Sequence, residues 1–210
     1  MFQTVLEAGA EKALRTLSHQ DFMGSFYLAG DTGCSLHIGH RRSLDLDFFS
    51  PTGFEIFPVQ NTLRNQGRFV IDYSDSSTLV GRFDGTKISL FHYAYPLIGD
   101  TIDFLGVCVA SLVDIGCMKI DAISFRGTKR DFVDVFFTLQ NLELDLKSFL
   151  TQFELKYGPV NLNRHHVLKS VIYFEDADKE PEPEMLVPFS WTAIKRFFVE
   201  GVRGLGAPLA

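Results

Sequence analysis

The chain is poor in the features that would classify it at a glance. It has three cysteines, Cys34, Cys108 and Cys117. The number is odd, the spacing is unpaired and the contexts are apolar. That excludes a disulfide framework and a cysteine-based zinc site, and predicts small core residues in a reducing compartment. No apolar run reaches the ~18 residues that a membrane-spanning helix requires. The opening stretch MFQTVLEAGAEKALRTL interleaves acids with apolar residues and has no uninterrupted apolar segment, so it does not read as a signal peptide. Internal repeats are also missing. These absences point to a globular, cytoplasmic protein with no membrane partner.

A strong surplus of one charge is lacking as well. The formal net charge is −6, but EDADKEPEPE, Glu175 to Glu184, holds six acids and one lysine. That stretch accounts for −5 and leaves −1 for everything else. A near-neutral body with local basic clusters remains able to bind an anionic ligand at one site.

What the chain does have is apolar content, 46% hydrophobic residues with 21 phenylalanines among them. Residues 4–18 place Val5, Leu6, Ala10, Ala13, Leu14 and Leu17 on a helical stripe. SFYLAG predicts a strand stopped by Gly30, with a helix starting near Asp31 or Thr32 and ending at Gly39. SLDLDFFSP alternates with period two and stops at Pro51. A helix around Val59 to Asn65 is followed by strand candidates RFVIDYS, STLVGRF, TKISLFHYAYP and TIDFLGVCVAS, with FDGTK as a hairpin turn. From Leu112 onward the pattern is helical, interrupted by the acidic, proline-containing linker and closed by WTAIKRFFVEGVRGL with Ser190 as N-cap. The expected fold class is α+β, a mixed or antiparallel sheet flanked by helices with a helical C-terminal part. Residues 1–140 are expected to form the core and residues 141–210 a helical extension packed on it.

Two clusters carry candidate chemistry. In a strand, residues i and i+2 share a face, so Asp45 and Asp47 project together with Ser43 beside them. Two neighbouring carboxylates repel, and a divalent cation relieves that repulsion. An edge strand with one solvated face accounts for the same pattern. Upstream, a strand running through Gly30-Asp31-Thr32-Gly33 into a helix leaves backbone N–H groups at the helix start, which with the Thr32 hydroxyl make an anion site. Arg41 and Arg42 stand between this turn and the acids. Far downstream, Lys119 sits in the apolar helix LVDIGCMKIDAIS, where it either reaches the surface or is held by an anion. In RGTKRDFVDVFF, Phe132, Val135, Phe136 and Leu139 form the buried stripe, which places Asp131 and Asp134 on another face. Thr128 and Asp131 have capping-box spacing. NRHHVLK reads as an exposed basic stretch suited to an RNA or phosphate contact.

The segments YLAGDTGCSLHIGHRRSLDLDFFS and MKIDAISFRGTKRDFVDVFFTL, taken in that order, resemble the AbiEii/AbiGii-type nucleotidyltransferase toxin family of the DNA polymerase β-like superfamily. The resemblance runs from about residue 20 to 140. It implies a turn at Gly30 and Thr32, metal ligands at Asp45 and Asp47, a functional lysine at Lys119, and a final acid at Asp134 with Asp131 beside it. Nucleotide binding is expected to involve Gly30, Thr32, Arg41, Arg42 and Ser43. The implied reaction is Mg²⁺-dependent transfer of a nucleotide from a nucleoside triphosphate, with one or two ions, to an acceptor that for some members is tRNA. A cognate antitoxin is the implied protein partner. One position departs from the family turn, because its second glycine is Asp31 here. A carboxylate aimed at a triphosphate opposes it by about 1–4 kcal/mol at ~4 Å, whereas an inward-turned Asp acts as an N-cap. This leaves a second expectation, a catalytically impaired nucleotidyltransferase fold that only binds nucleotide, RNA or a protein partner. A third, a phosphodiesterase using the same acids on water, has no use for the glycine turn.

Overall fold

The computed structural model describes residues 1–158 and 163–206, and the chain divides into two compact units, Met1–Ser111 and Leu112–Ala210. Every described strand belongs to the first unit. They form one mixed sheet, in the order β3-β4-β5-β2-β1-β7-β6, from β1 (Tyr27–Leu28), β2 (Leu46–Ser50), β3 (Phe69–Ser74), β4 (Thr78–Phe83), β5 (Thr86–His92), β6 (Ile102–Phe104) and β7 (Val107–Val109). Strand β1 runs antiparallel to β2 and parallel to β7, and β2 runs parallel to β5.

Period-two alternation gives this sheet two unlike faces. Leu46 and Phe48 of β2, Ile88 and Leu90 of β5, and Leu79 and Phe83 of β4 are all at most 1% exposed. Full burial of each such side chain contributes about 1.5–3 kcal/mol. The opposite face carries Asp47, Phe49, Lys87 and Phe91, all half-buried, with Ser89 buried between them. Leu44 falls outside the alternation and is 53% exposed, because β2 begins only at Leu46.

Three helices complete the first unit. Helix α1 (Ala8–Leu17) buries Ala10, Ala13, Leu14 and Leu17 of the expected stripe but starts later than expected, and Val5 and Leu6 are buried ahead of it, at the end of a 3₁₀ turn at Gln3–Val5. Helix α2 (Gly30–Ile38) ends, as its sequence predicts, at Gly39 with φ +74°, and α3 spans Ile56–Gln66. The Asp84-Gly85 hairpin turn forms with both residues at positive φ. TIDFLGVCVAS is not one strand. It folds at Leu105-Gly106, also both at positive φ, into the β6–β7 hairpin. Leucine at the first turn position hid that turn, since positive φ is strained for a side chain of this kind. Cys108 is exposed, against its expected place in the core.

The second unit is helical: α4 (Leu112–Phe125), α5 (Lys129–Leu142), α6 (Leu146–Tyr157), α7 (Arg164–Ser170), α8 (Glu175–Lys179) and α9 (Trp191–Gly204). Phe132 is its aromatic hub, with ring centroids 5.1 Å from Phe174, 5.9 Å from Trp191 and 5.3 Å from Phe198. Gly116 permits close helix packing, because a Cβ there would lie 2.6 Å from Phe149. Ser190 caps α9 as expected, while the acidic linker contains the short α8. No helix among the described residues is long and apolar enough to cross a membrane.

Candidate active site

In the first unit, the turn after β1 and the start of β2 are brought together. The Ala29 amide donates to the Asp47 carbonyl at 3.0 Å. Gly30 adopts φ +62°, and a Cβ at that position would lie 3.0 Å from Asp47 Oδ2. Glycine is required here twice, for the backbone conformation and for the approach of the acid. Helix α2 begins at Gly30 with Ala29 as N-cap and no side-chain cap. Asp31 therefore does not cap the helix. Its Oδ2 lies 3.1 Å from Nη2 of Arg41, whose side chain is 2% exposed. The pairing answers the electrostatic question raised by the turn: the extra carboxylate is offset by its own guanidinium. Arg41, one of the expected nucleotide-binding residues, is thus buried and paired with Asp31.

Thr32 is fully buried. Its hydroxyl lies 2.7 Å from Ser43 Oγ and donates to the Asp45 carbonyl. That proton is therefore engaged internally, and Thr32 and Ser43 together fix the backbone that presents Asp45. Arg42 is half-buried, and its carbonyl accepts from Arg41 Nη1 at 3.1 Å.

Asp45 pairs with Lys87 Nζ at 3.1 Å, both side chains being more than a third exposed. Asp47 stands opposite Ser89 in the β2–β5 register. Loss of solvent pushes the Asp47 carboxyl above its ordinary range, a hydrogen bond from Ser89 opposes this, and the charges of Asp31 and Asp45 push it further up. An acid that disfavours its own charge, beside a second acid and without soft ligands, is a donor set suited to a hard divalent cation. Lys87 and Ser89 escaped the sequence reading. Alternation put both on one face of β5, but only the tertiary register sets that face beside Asp45 and Asp47.

The second unit gathers the other expected residues. Lys119 is 2% exposed, with Nζ 3.0 Å from Asp131 Oδ1 and 2.7 Å from Asp134 Oδ2. Held by anions, it does not extend to the surface. Asp131 also takes two bonds of 2.9 Å from Arg126 and one of 2.6 Å from the Thr128 hydroxyl, and Thr128 caps α5 as its spacing predicts. Both aspartates are fully buried. The sequence reading also missed a second pair, Lys156 Nζ to Asp114 Oδ1 at 2.7 Å, both side chains 0% exposed. Its signal was a lysine within the buried run Phe149-Phe153-Tyr157. NRHHVLK begins α7. His166 meets the Ser124 carbonyl at 3.0 Å and Arg164 pairs with Glu154 at 3.1 Å, while Lys169 is exposed.

No family model matches the sequence. The chain is 34% identical over 202 residues to the uncharacterized protein aq_aa25 of Aquifex aeolicus (strain VF5), covering 94% of this chain and 96% of that protein. Among solved structures it is similar to MenT4, the nucleotidyltransferase toxin Rv2826c of Mycobacterium tuberculosis H37Rv. The TM-score is 0.53 at 15% identity, over 97% of this chain and 87% of that one. JHP933 from Helicobacter pylori superposes with a TM-score of 0.46 at 14% identity, over 94% and 95% of the two chains. The fold is the nucleotidyltransferase fold, a mixed seven-stranded sheet with flanking helices.

Proposed function

The chain belongs to the family of the Aquifex aeolicus protein aq_aa25, and we propose that it is a nucleotidyltransferase that moves a nucleotide from a nucleoside triphosphate to an acceptor. The observation that carries this reading is the convergence of the Gly30 turn with an acid pair on the half-open face of the sheet. Asp45 and Asp47 would hold Mg²⁺, which when bound neutralises triphosphate oxygens and lowers the pKa of an attacking hydroxyl. The rest falls to the chain itself. The uncapped first turn of α2 offers backbone N–H groups to the distal phosphates. Gly30 keeps that turn close to Asp47, and Thr32 and Ser43 hold the Asp45 backbone. Ser89 orients Asp47, and Lys87 neutralises Asp45 until substrate arrives.

The resemblance to AbiEii/AbiGii-type toxins extends the proposal to the second unit. Within that unit Lys119 is suited to balance phosphate charge and Asp134 to accept a proton, and Asp131 with Arg126 keeps the lysine in position. On this reading the catalytic core runs to residue 140 and residues 141–210 extend it. Arg42 is proposed as a phosphate contact. The setting is a cytoplasmic toxin-like system, with RNA such as tRNA as the acceptor and an antitoxin protein restraining the activity.

The Asp31–Arg41 pair argues against the alternative, a fold silenced by Asp31, because the guanidinium offsets part of that carboxylate's charge. The test incubates the full chain with labelled triphosphates, Mg²⁺ and total RNA. Labelled RNA is expected with wild type and is lost in Asp45→Ala/Asp47→Ala. Equal labelling by both proteins overturns the proposal.

A further inference from the structure

The face of the sheet that carries the acids continues into a row of aromatic rings. On β2, Phe49 follows Asp47 by two residues, and on β5, Phe91 follows Ser89 by two. The register pairs Asp47 with Ser89 and Phe49 with Phe91. All four side chains therefore share a face, and the rings begin about 7 Å beyond the acid along the strands. Phe49 and Phe91 are stacked, with centroids 5.2 Å apart and planes 30° apart. Tyr27 stacks on the other side of Phe49 at 6.0 Å and 22°. Tyr93 meets Phe49 edge-on at 5.5 Å and lies 4.9 Å from Tyr95. Tyr27 is buried, whereas Phe49, Phe91, Tyr93 and Tyr95 are half-buried. On the opposite face of the same strands, Phe48 and Leu90 are at most 1% exposed. Strands of this composition are able to bury rings fully, and here four are left partly open.

The order of chemistry along this face is directional. At one end stand the glycine turn, Lys87 and the acid pair, which suit phosphates and a cation. At the other end stand half-buried rings, among which Phe49 has its two faces taken by Tyr27 and Phe91 while Phe91, Tyr93 and Tyr95 are partly exposed. A nucleotide has the same polarity, an anionic end joined to a flat apolar ring. We infer that Phe91 and Tyr93, backed by Phe49, form the base-stacking surface for the incoming nucleoside triphosphate. Stacking on rings without an array of base-edge partners tolerates different bases, so discrimination among the four triphosphates should be modest. This inference rests on the proposed nucleotidyl-transfer reading, and the experiment separates the two.

The full chain is titrated calorimetrically, in Mg²⁺, with each of the four nucleoside triphosphates, with inorganic tripolyphosphate and with a short single-stranded RNA lacking a triphosphate. Wild type is expected to bind the nucleoside triphosphates roughly tenfold or more tightly than tripolyphosphate, in line with the usual contribution of base–aromatic stacking. Phe49→Leu/Phe91→Leu keeps apolar bulk but removes the rings. It should erase that tenfold margin and leave tripolyphosphate binding in place. If the double variant melts early, Phe91→Leu alone is used and a partial loss of the margin is expected. Equal wild-type affinity for tripolyphosphate and nucleoside triphosphates overturns the inference while sparing the nucleotidyltransferase reading. Loss of RNA binding with triphosphate binding unchanged gives the row to the acceptor and also overturns it. Absence of binding by any phosphate ligand sinks both.

Discussion

The two units use the same charged residue types in opposite ways. In the second unit each buried acid meets a nearby cation, Lys156 with Asp114 and Lys119 with Asp131 and Asp134, at distances of 2.7–3.0 Å. In the first unit three acids, Asp31, Asp45 and Asp47, gather around one glycine turn, and their charges act on one another. Arg41 offsets Asp31 and Lys87 reaches Asp45, whereas at Asp47 burial and the neighbouring acids outweigh the Ser89 hydrogen bond and the Lys87 charge and raise its carboxyl pKa. A compensated pair holds a fold together. An incompletely compensated acid, kept in place by backbone geometry, is a candidate cation ligand.

The comparison is most easily broken at Lys156. Lys156→Met leaves Asp114 buried without its partner, and denaturant unfolding should register a loss of about 3–5 kcal/mol. Lys156→Met/Asp114→Leu should regain most of it, because an apolar replacement of a buried pair is often nearly neutral. If the double variant is as unstable as the single one, the pair does more than hold the helices.

Asp31→Gly is next in size. It restores a glycine to the turn but removes the carboxylate paired with the deeply buried Arg41, and adds backbone freedom to the unfolded chain. A loss of about 2 kcal/mol in chemical denaturation is expected. Stability equal to wild type, with transfer activity newly gained, would instead mean that Asp31 had silenced the site.

Gly30→Ala should cost about 1 kcal/mol or more from the positive φ alone. Crowding of Asp47 should also weaken Mn²⁺ binding, measured by the paramagnetic broadening of water protons. Unchanged Mn²⁺ affinity would dissociate the turn from the acids.

The smallest effect is also the most diagnostic. The Asp47 carboxyl titrates above its ordinary range because burial, and then neighbouring charge, opposes ionisation. The folded state thus holds this proton more tightly than the unfolded one, and stability declines as pH rises from the ordinary carboxylate range through the raised value. In EDTA at neutral pH, Asp47→Asn should melt above wild type, and the difference should close at pH values below the ordinary range. A melting temperature that falls at neutral pH would make Asp47 a structural acid like those of the second unit.

How much of this was legible in the sequence follows from the range of the interactions. Gly30 and Gly39 bracket α2 because a helix start and a left-handed stop are local events, and Thr128 caps α5 for the same reason. Asp45 and Asp47 stood out because two acids in an apolar strand are locally anomalous. Lys87, Ser89 and the Phe49–Phe91 stack were invisible, because strand pairing between residues more than forty positions apart is settled by sheet register. The Leu105-Gly106 turn was missed because leucine does not announce a positive φ.

By itself the sequence determined the periodicities: which residues alternate, which form stripes, where glycine and proline interrupt them, and which acids stand among apolar neighbours. Only the tertiary structure decided which charges meet. It paired Asp31 with Arg41, enclosed Lys156 with Asp114, and left Asp47 short of a counter-charge. The reason is that the free energy of a charge depends on its surroundings, on burial and on the nearest opposite charge, and those surroundings are assembled from segments far apart in the chain.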